Sequence, residues 1–180
     1  MHWIGSSSFH GREPETPYRY PAWWHVALAL ALALLAQATV LHAMQWGGAP
    51  PSVVLLVVVW YSVRLDPQRA AILGLLAGLA EDLLSGTTGG SWTPATTLVA
   101  IMTASLSRAF FGNSPLLFAA LAFFATLVRD SLFWGIAKMA GMPFAWSTLH
   151  FHQALRQAIL DALLLAAFAW WHRRRFWDRE

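Results

Sequence analysis

Six charged side chains lie inside long apolar runs of this sequence, and their types and positions could support chemistry. They are Glu81, Asp82, Arg129, Asp130, Arg156 and Asp161. Charges inside a membrane are costly, so they usually face a bundle interior or a wet cavity, where they pair with one another or handle ligands and protons. Gln157 lies four residues before Asp161, on the same face of a helix, and we place it in the same group.

Two interpretations of this polar group stay open. Buried arginine–carboxylate pairs often only satisfy one another and fix the register of helices. The four acids outnumber the two arginines, however, so the group could instead form a pocket for a ligand or handle protons.

Other patterns with chemical meaning are weaker. Gly89-Gly90 lies in a loop that lacks the lysine of a phosphate-binding loop, and Ser85 has no nearby base. His150 and His152 offer two imidazoles without a third metal ligand, and the chain has no cysteine. The sequence therefore predicts no catalytic residue, no metal site and no cofactor, in a protein that is not an enzyme.

Membrane helices are the elements that must position these charges. Of the 180 residues, 57% are apolar and 12% are charged, about half the charged fraction of an average soluble protein. The mean hydropathy is +0.48, and a soluble domain this short could not bury so much apolar surface. The net charge of +3 is dispersed along the chain, which argues against a nucleic-acid partner.

Six apolar runs are separated by polar, proline or glycine breaks. They cover residues 23–44, 53–63, 70–84, 93–108, 115–138 and 149–171. We therefore predict an all-α, polytopic membrane protein, a bundle of six transmembrane helices. Residues 1–21 are predicted to form a flexible cytoplasmic tail, residues 22–172 the transmembrane domain, and residues 173–180 a basic cytoplasmic tail.

The arginines predict the orientation of this bundle. Six spans with a cytoplasmic N-terminus place nine arginines inside: Arg12, Arg19, Arg64, Arg69, Arg108, Arg173, Arg174, Arg175 and Arg179. Only Lys138 then lies in an outer loop, as the positive-inside rule demands. This bias predicts that the short run 53–63 crosses, that both termini are cytoplasmic, and that the polar group lies towards the external face. The cluster Arg173–Arg175 is expected to anchor the topology and to contact anionic lipids.

The third run has two distinct faces. Gly74 and Gly78 are four residues apart and share a face with Asp82, and such a small-residue stripe permits close packing against another helix. The opposite face is apolar and suits lipid: Ile72, Leu76, Leu79 and Leu83. The acidic end of this helix is therefore expected on or beside a packing surface.

Residues 74–86, with the sequence GLLAGLAEDLLSG, resemble the signature of the MreD family of bacterial rod shape-determining proteins. That family shows a glycine-rich helix that ends in an acidic residue, two apolar residues and a small residue–glycine turn. Length, helix number, topology and the basic end also fit, so the resemblance covers about residues 23–175.

The resemblance implies a non-enzymatic subunit of the cell-elongation machinery, in the bacterial inner membrane among its lipids. The expected direct partner is MreC. RodA, a class B penicillin-binding transpeptidase and the MreB filament are expected in the wider complex. The family is similar in fold to the substrate-binding S components of vitamin importers, which are also six-helix bundles.

Two hypotheses about function follow. The first is a membrane scaffold that binds MreC and supports rod shape and peptidoglycan synthesis. The alternative is a substrate-binding membrane component of a small-solute, or vitamin, transporter, in which the buried polar residues contact the solute. An intramembrane enzyme is disfavoured, because no pair of residues has a recognised catalytic arrangement.

Overall fold

A computed structural model describes residues 21–41, 50–86, 89–109, 114–141 and 148–177. Within those ranges the chain forms helices and no strand, which confirms the predicted all-α class there. The elements are α1 (Trp23–Ala36), a π-helical segment (Gln37–Leu41), α2 (Val53–Ser62), α3 (Pro67–Ser85), α4 (Trp92–Ala109), α5 (Pro115–Met139) and α6 (Thr148–Trp177). Most of the predicted N-terminal tail, and the end of the first apolar run after residue 41, lie outside the described residues.

Two helices begin where a capping residue precedes a proline. Asp66 accepts a hydrogen bond from the backbone N–H of Arg69 at 2.8 Å, and Pro67 is the first residue of α3. Ser114 accepts one from the N–H of Leu117 at 3.2 Å before α5. A proline at the first helical position loses no hydrogen bond, because that N–H has no partner within the helix.

The short helix α2 is the centre of the bundle. It contacts α1, α3, α4, α5 and α6. Its side chains are buried on several sides of the helix, among them Val54, Leu55, Val58 and Val59. A helix that is apolar all round is stable only when its neighbours enclose it. The shortest of the six apolar runs therefore forms the core of the bundle.

The outer helices expose large apolar side chains on the surface. Those on α3 include the predicted lipid face, and further ones lie on α1, α4, α5 and α6: Leu28, Leu32, Leu35, Ile72, Leu76, Leu79, Leu83, Leu98, Met102, Phe124, Ile159 and Leu163. Among the described residues, α5 and residues His150–Arg175 of α6 are long and apolar enough to cross a membrane, while Trp23–Thr39 and α2 are shorter apolar helices.

The sixth helix is longer than its apolar run predicts. It continues beyond residue 171 through the three consecutive arginines to Trp177. Arg174 and Arg175 lie in its last turn, where cations interact favourably with the negative end of the helix dipole.

Candidate functional site

A buried ion pair joins α3 to α5. The Nη1 of Arg129 donates to both carboxylate oxygens of Glu81, at 3.2 and 3.3 Å. Both side chains are nearly inaccessible to solvent, with exposed fractions of 3% and 7%. Because a buried charge is tolerated only when it is paired and hydrogen-bonded, each of these residues requires the other.

Two further helices contribute polar groups to the same carboxylate. Gln37, in the π-helical segment, donates from Nε2 to Glu81 Oε1 at 3.3 Å and accepts from the N–H of Val54 at 3.2 Å. Thr96 of α4 donates from its hydroxyl to Glu81 Oε2 at 3.4 Å. Glu81 thus links the π-helical segment, α4 and α5 to α3, and Gln37 extends the link to the first turn of α2.

An aromatic stack covers the guanidinium of Arg129. Its central carbon lies 4.6 Å from the ring centroid of Trp92, and Trp92 stacks on Phe133 with centroids 4.0 Å apart and planes 20° apart. The carboxylate of Asp130 lies 4.0 Å from Arg129 Nε. Among the described residues, no group accepts a hydrogen bond from that Nε.

Asp82 accepts hydrogen bonds from the first residues of α4, the next helix in the chain. Its Oδ1 accepts from the N–H of Trp92 at 3.1 Å, and its Oδ2 accepts from the N–H and the hydroxyl of Thr93 at 2.9 and 2.6 Å. These bonds satisfy N–H groups in the first turn of α4, which have no partner within the helix. Asp82 therefore fastens the start of α4 to the end of α3.

The predicted glycine stripe makes that fastening possible. A Cβ on Gly78 would lie 2.6 Å from Thr93 Cα, and one on Gly74 would lie 2.8 Å from the carbonyl oxygen of Thr96. Both clashes involve the backbone of α4, which cannot move aside as the tip of a side chain can. The glycines thus let α3 and α4 approach closely enough for Asp82 to reach Thr93.

Asp161 is fully buried on α6 and holds the start of α2. Its Oδ1 accepts from the N–H of Ser52 at 2.9 Å, and its Oδ2 accepts from the Thr126 hydroxyl at 2.9 Å. Ser52 immediately precedes α2, and its own hydroxyl makes no hydrogen bond to any described residue. The carboxylate thereby joins α6, α5 and α2.

A cavity of about 580 Å³ lies beside these contacts. Its described lining is Leu34, Gln37, Ala38, Pro50, Pro51, Ser52, Glu81, Leu84, Ser85, Trp92, Arg129 and Gln157. The volume falls in the range of small-molecule sites. The part of the chain that the structure describes holds no cluster of three histidine, aspartate or glutamate residues able to bind a metal.

The predicted polar residues do not form a single site. Glu81, Arg129 and Asp130 form one charged cluster, while Asp82 and Asp161 each make their own contacts. Gln157 lines the cavity. Arg156 is exposed and is not among the described residues of that lining.

The predicted site did not include four contributors: Gln37, Ser52, Thr96 and Thr126. Gln37 carried a signal: it is one of few polar side chains in the run 23–44, and a carboxamide in an apolar helix needs a partner. Ser52 carried none, since its backbone N–H makes the contact with Asp161.

With the geometry established, comparison with known proteins identifies the family. The family model of the rod shape-determining protein MreD matches residues 19–174. The chain belongs to the MreD family. This match confirms the resemblance first noted at residues 74–86. No curated protein and no solved structure matches the chain.

Membership of the MreD family gives the chain a role in rod shape determination. MreD proteins are membrane-associated components of the shape-determining machinery, and they are not a known enzyme family. The comparisons give no support to the alternative of a solute-transport component.

Proposed function

We propose that this chain is a non-enzymatic membrane scaffold of the cell-elongation machinery, which binds MreC and thereby supports rod shape and peptidoglycan synthesis. The observation that carries the proposal is the family match over residues 19–174. The polar group supports it too, because Glu81, Asp82 and Asp161 all bond to groups on other helices of the bundle. Carboxylates engaged in this way hold helices together.

We further propose that the six helices form six membrane spans with both termini in the cytoplasm. The distribution of arginines supports this topology, as do the exposed apolar side chains of the outer helices. RodA, a class B penicillin-binding transpeptidase and MreB would then belong to the wider complex in the bacterial inner membrane, with MreC as the direct partner.

In this topology, α2 is shorter than a helix that spans the whole membrane. Its 10 residues span about 15 Å, half of the roughly 30 Å hydrocarbon core. Non-helical backbone at membrane depth is tolerated where it lines a cavity or is buried in protein. Pro50, Pro51 and Ser52 line the cavity, and Asp161 accepts from the Ser52 N–H. These contacts support a discontinuous span that reaches the centre of the bundle.

Co-purification tests the scaffold. The full chain, tagged at its C-terminus, is extracted with MreC from membranes in a mild detergent, beside an equally tagged polytopic protein of the same membrane as the control. We expect MreC to be retained by this chain and absent from the control. Loss of MreC under conditions that keep the helical bundle folded would overturn the proposal.

The topology is tested separately with single cysteines, because the chain has none of its own. Cysteine at Gly141 is expected to react with a membrane-impermeant reagent added to intact spheroplasts, and cysteine at Arg108 only after lysis. Reaction of both sites in intact spheroplasts, or of neither, contradicts six crossings.

A further inference from the structure

Three tryptophan–arginine pairs repeat the same spacing of four residues at one end of the bundle. The guanidinium of Arg64 lies 3.8 Å from the Trp60 ring centroid. The guanidinium of Arg174 lies 3.8 Å from the Trp170 centroid, and that of Arg175 lies 4.8 Å from the Trp171 centroid. Residues four apart are neighbours on a helix surface, so each arginine folds back over the indole one turn earlier.

The three pairs lie around the same end of the bundle. The ring of Trp60 lies 4.8 Å from the ring of Phe168 and 5.2 Å from that of His172, so the ends of α2 and α6 are in contact. Trp170 and Trp171 are each about half exposed. We name this surface the arginine–tryptophan patch and define it by Trp60, Arg64, Trp170, Trp171, Arg174 and Arg175.

Stacking leaves the hydrogen-bonding edge of a guanidinium free. The contact with an indole uses the face of the ion, whereas its five N–H donors point outward in the plane and match a phosphate bidentately. Arg174 and Arg175 are exposed, and no described residue accepts a hydrogen bond from either. Arg64 differs, because its Nη1 donates to the carbonyl oxygen of Trp60 at 2.6 Å.

The patch also lies at the depth of lipid headgroups in the proposed topology. Helix α6 has 30 residues and is about 45 Å long, so it exceeds a hydrocarbon core of roughly 30 Å and its arginine end emerges from it. Tryptophan prefers the interface between hydrocarbon and water. Guanidiniums stacked on those indoles are therefore held at the level of the phosphates.

We propose that the arginine–tryptophan patch binds the phosphate of anionic phospholipids, with Arg174 and Arg175 as the main donors. The proposal rests on the chain spanning the membrane but not on its binding to MreC. It adds a lipid requirement at one defined end of the bundle.

Competition between two lipids tests the proposal. The full chain in mild detergent is mixed with equal amounts of phosphatidylglycerol and phosphatidylcholine that carry the same acyl chains, and the retained lipids are counted by native mass spectrometry. We expect the wild-type chain to retain phosphatidylglycerol preferentially. Each arginine near an anionic surface contributes about fivefold, so R174Q/R175Q should lose most of the preference.

A matched variant separates the patch from general charge. R69Q/R108Q removes the same charge from two arginines outside the patch, the partly exposed Arg69 and the exposed Arg108, and should keep the wild-type preference. An equal loss in R69Q/R108Q, or no preference in the wild type, overturns the proposal. Displacement of phosphatidylglycerol by polyglutamate at equal phosphate and carboxylate concentration also overturns it, since the patch would then bind any polyanion.

A lysine variant tests the stacked geometry. R174K/R175K keeps both charges but replaces the planar fork with a compact ammonium, and we expect a preference between those of the wild type and R174Q/R175Q. If R174K/R175K prefers phosphatidylglycerol as strongly as the wild-type chain does, the stacked guanidiniums have no role in the preference. Neither result depends on capture of MreC, so this inference and the proposed function fail separately.

Discussion

Side chains hydrogen-bond to backbone groups at both ends of α2, but the start of the helix is buried and its end is partly exposed. At its start, the Ser52 N–H donates to the Asp161 carboxylate and the Val54 N–H donates to the Gln37 carboxamide. At its end, Arg64 donates to the carbonyl oxygen of Trp60. A helix start carries unpaired N–H groups and a positive potential, and a helix end carries unpaired C=O groups and a negative one. Each end has therefore acquired a partner of the required sign.

The surroundings decide how much each partner contributes. Ser52 and Asp161 are buried, whereas Arg64 and Trp60 are partly exposed. A polar group left unpaired in a buried place loses its bond without replacement, while water can replace a lost bond at the surface. The buried start should thus be sensitive to single substitutions and the exposed end tolerant of them.

The largest effect is expected where a buried charge loses the counter-ion that it has among the described residues. Arg129→Met removes the guanidinium that pairs with the buried Glu81 carboxyl group, and breaking a buried pair costs about 3–5 kcal/mol. The measurement is the free energy of unfolding in mixed detergent–SDS micelles. The double variant Glu81→Met/Arg129→Met should recover much of the loss, because neither charge then remains buried. Equal losses in both variants would contradict a paired charge.

The second effect concerns the start of α2 directly. Asp161→Ala removes the acceptor of the buried Ser52 N–H, at an expected cost of about 2–3 kcal/mol, while the Thr126 hydroxyl keeps the Ala122 carbonyl oxygen as an acceptor. Asp161→Asn keeps one oxygen acceptor and should lose less in the same unfolding measurement. Equal losses for Ala and Asn would mean that the charge of Asp161, rather than its hydrogen bonds, holds α2.

The third effect tests the close approach that lets Asp82 reach α4. Gly78→Ala forces a methyl group against the backbone at Thr93 and should cost about 1–2 kcal/mol, as overpacking does. Gly135→Ala on α5 is the matched control, since a Cβ there meets nothing within 4 Å. The control should be neutral or slightly stabilising. The difference between the two thermal midpoints measures the packing itself.

The smallest effect is expected at the exposed end. Arg64→Gln removes the stacking on Trp60 and the bond to its carbonyl oxygen, which together should change the free energy of unfolding by less than about 1 kcal/mol. A loss as large as that of Asp161→Ala would show that the two ends do not differ in the way proposed above.

Local signals in the sequence identified the helices well. Apolar runs gave the extents of most helices to within a few residues, but α3 begins at Pro67, three residues before the predicted run 70–84, because Asp66 caps it. The π-helical segment and the extension of α6 to Trp177 were not predicted. Gln37 of the π-helical segment bonds to Glu81 and to the Val54 N–H, which are contacts that the apolar pattern does not encode.

The site was only partly predictable. A sequence gives the depth of a side chain along its helix more readily than the direction in which the side chain points around the helix axis. Arg156 was grouped with the acids by its depth, but adjacent residues on a helix differ by about 100°, so it does not share the face of Gln157 and lies exposed. Asp82, in contrast, continued the Gly74–Gly78 face and reached α4. The pairing of Gln37 with Glu81, 44 residues apart, required the assembled bundle.

The brevity of α2 also bears on how the protein is made. Its 10 helical residues are about half of the roughly 20 that a helix needs to span a bilayer on its own. Its position at the centre of the bundle depends on partners that are synthesised later, since Asp161 is on the last helix. In the proposed six-span topology, the Ser52–Asp161 contact at the start of α2 can form only after α6 has been translated.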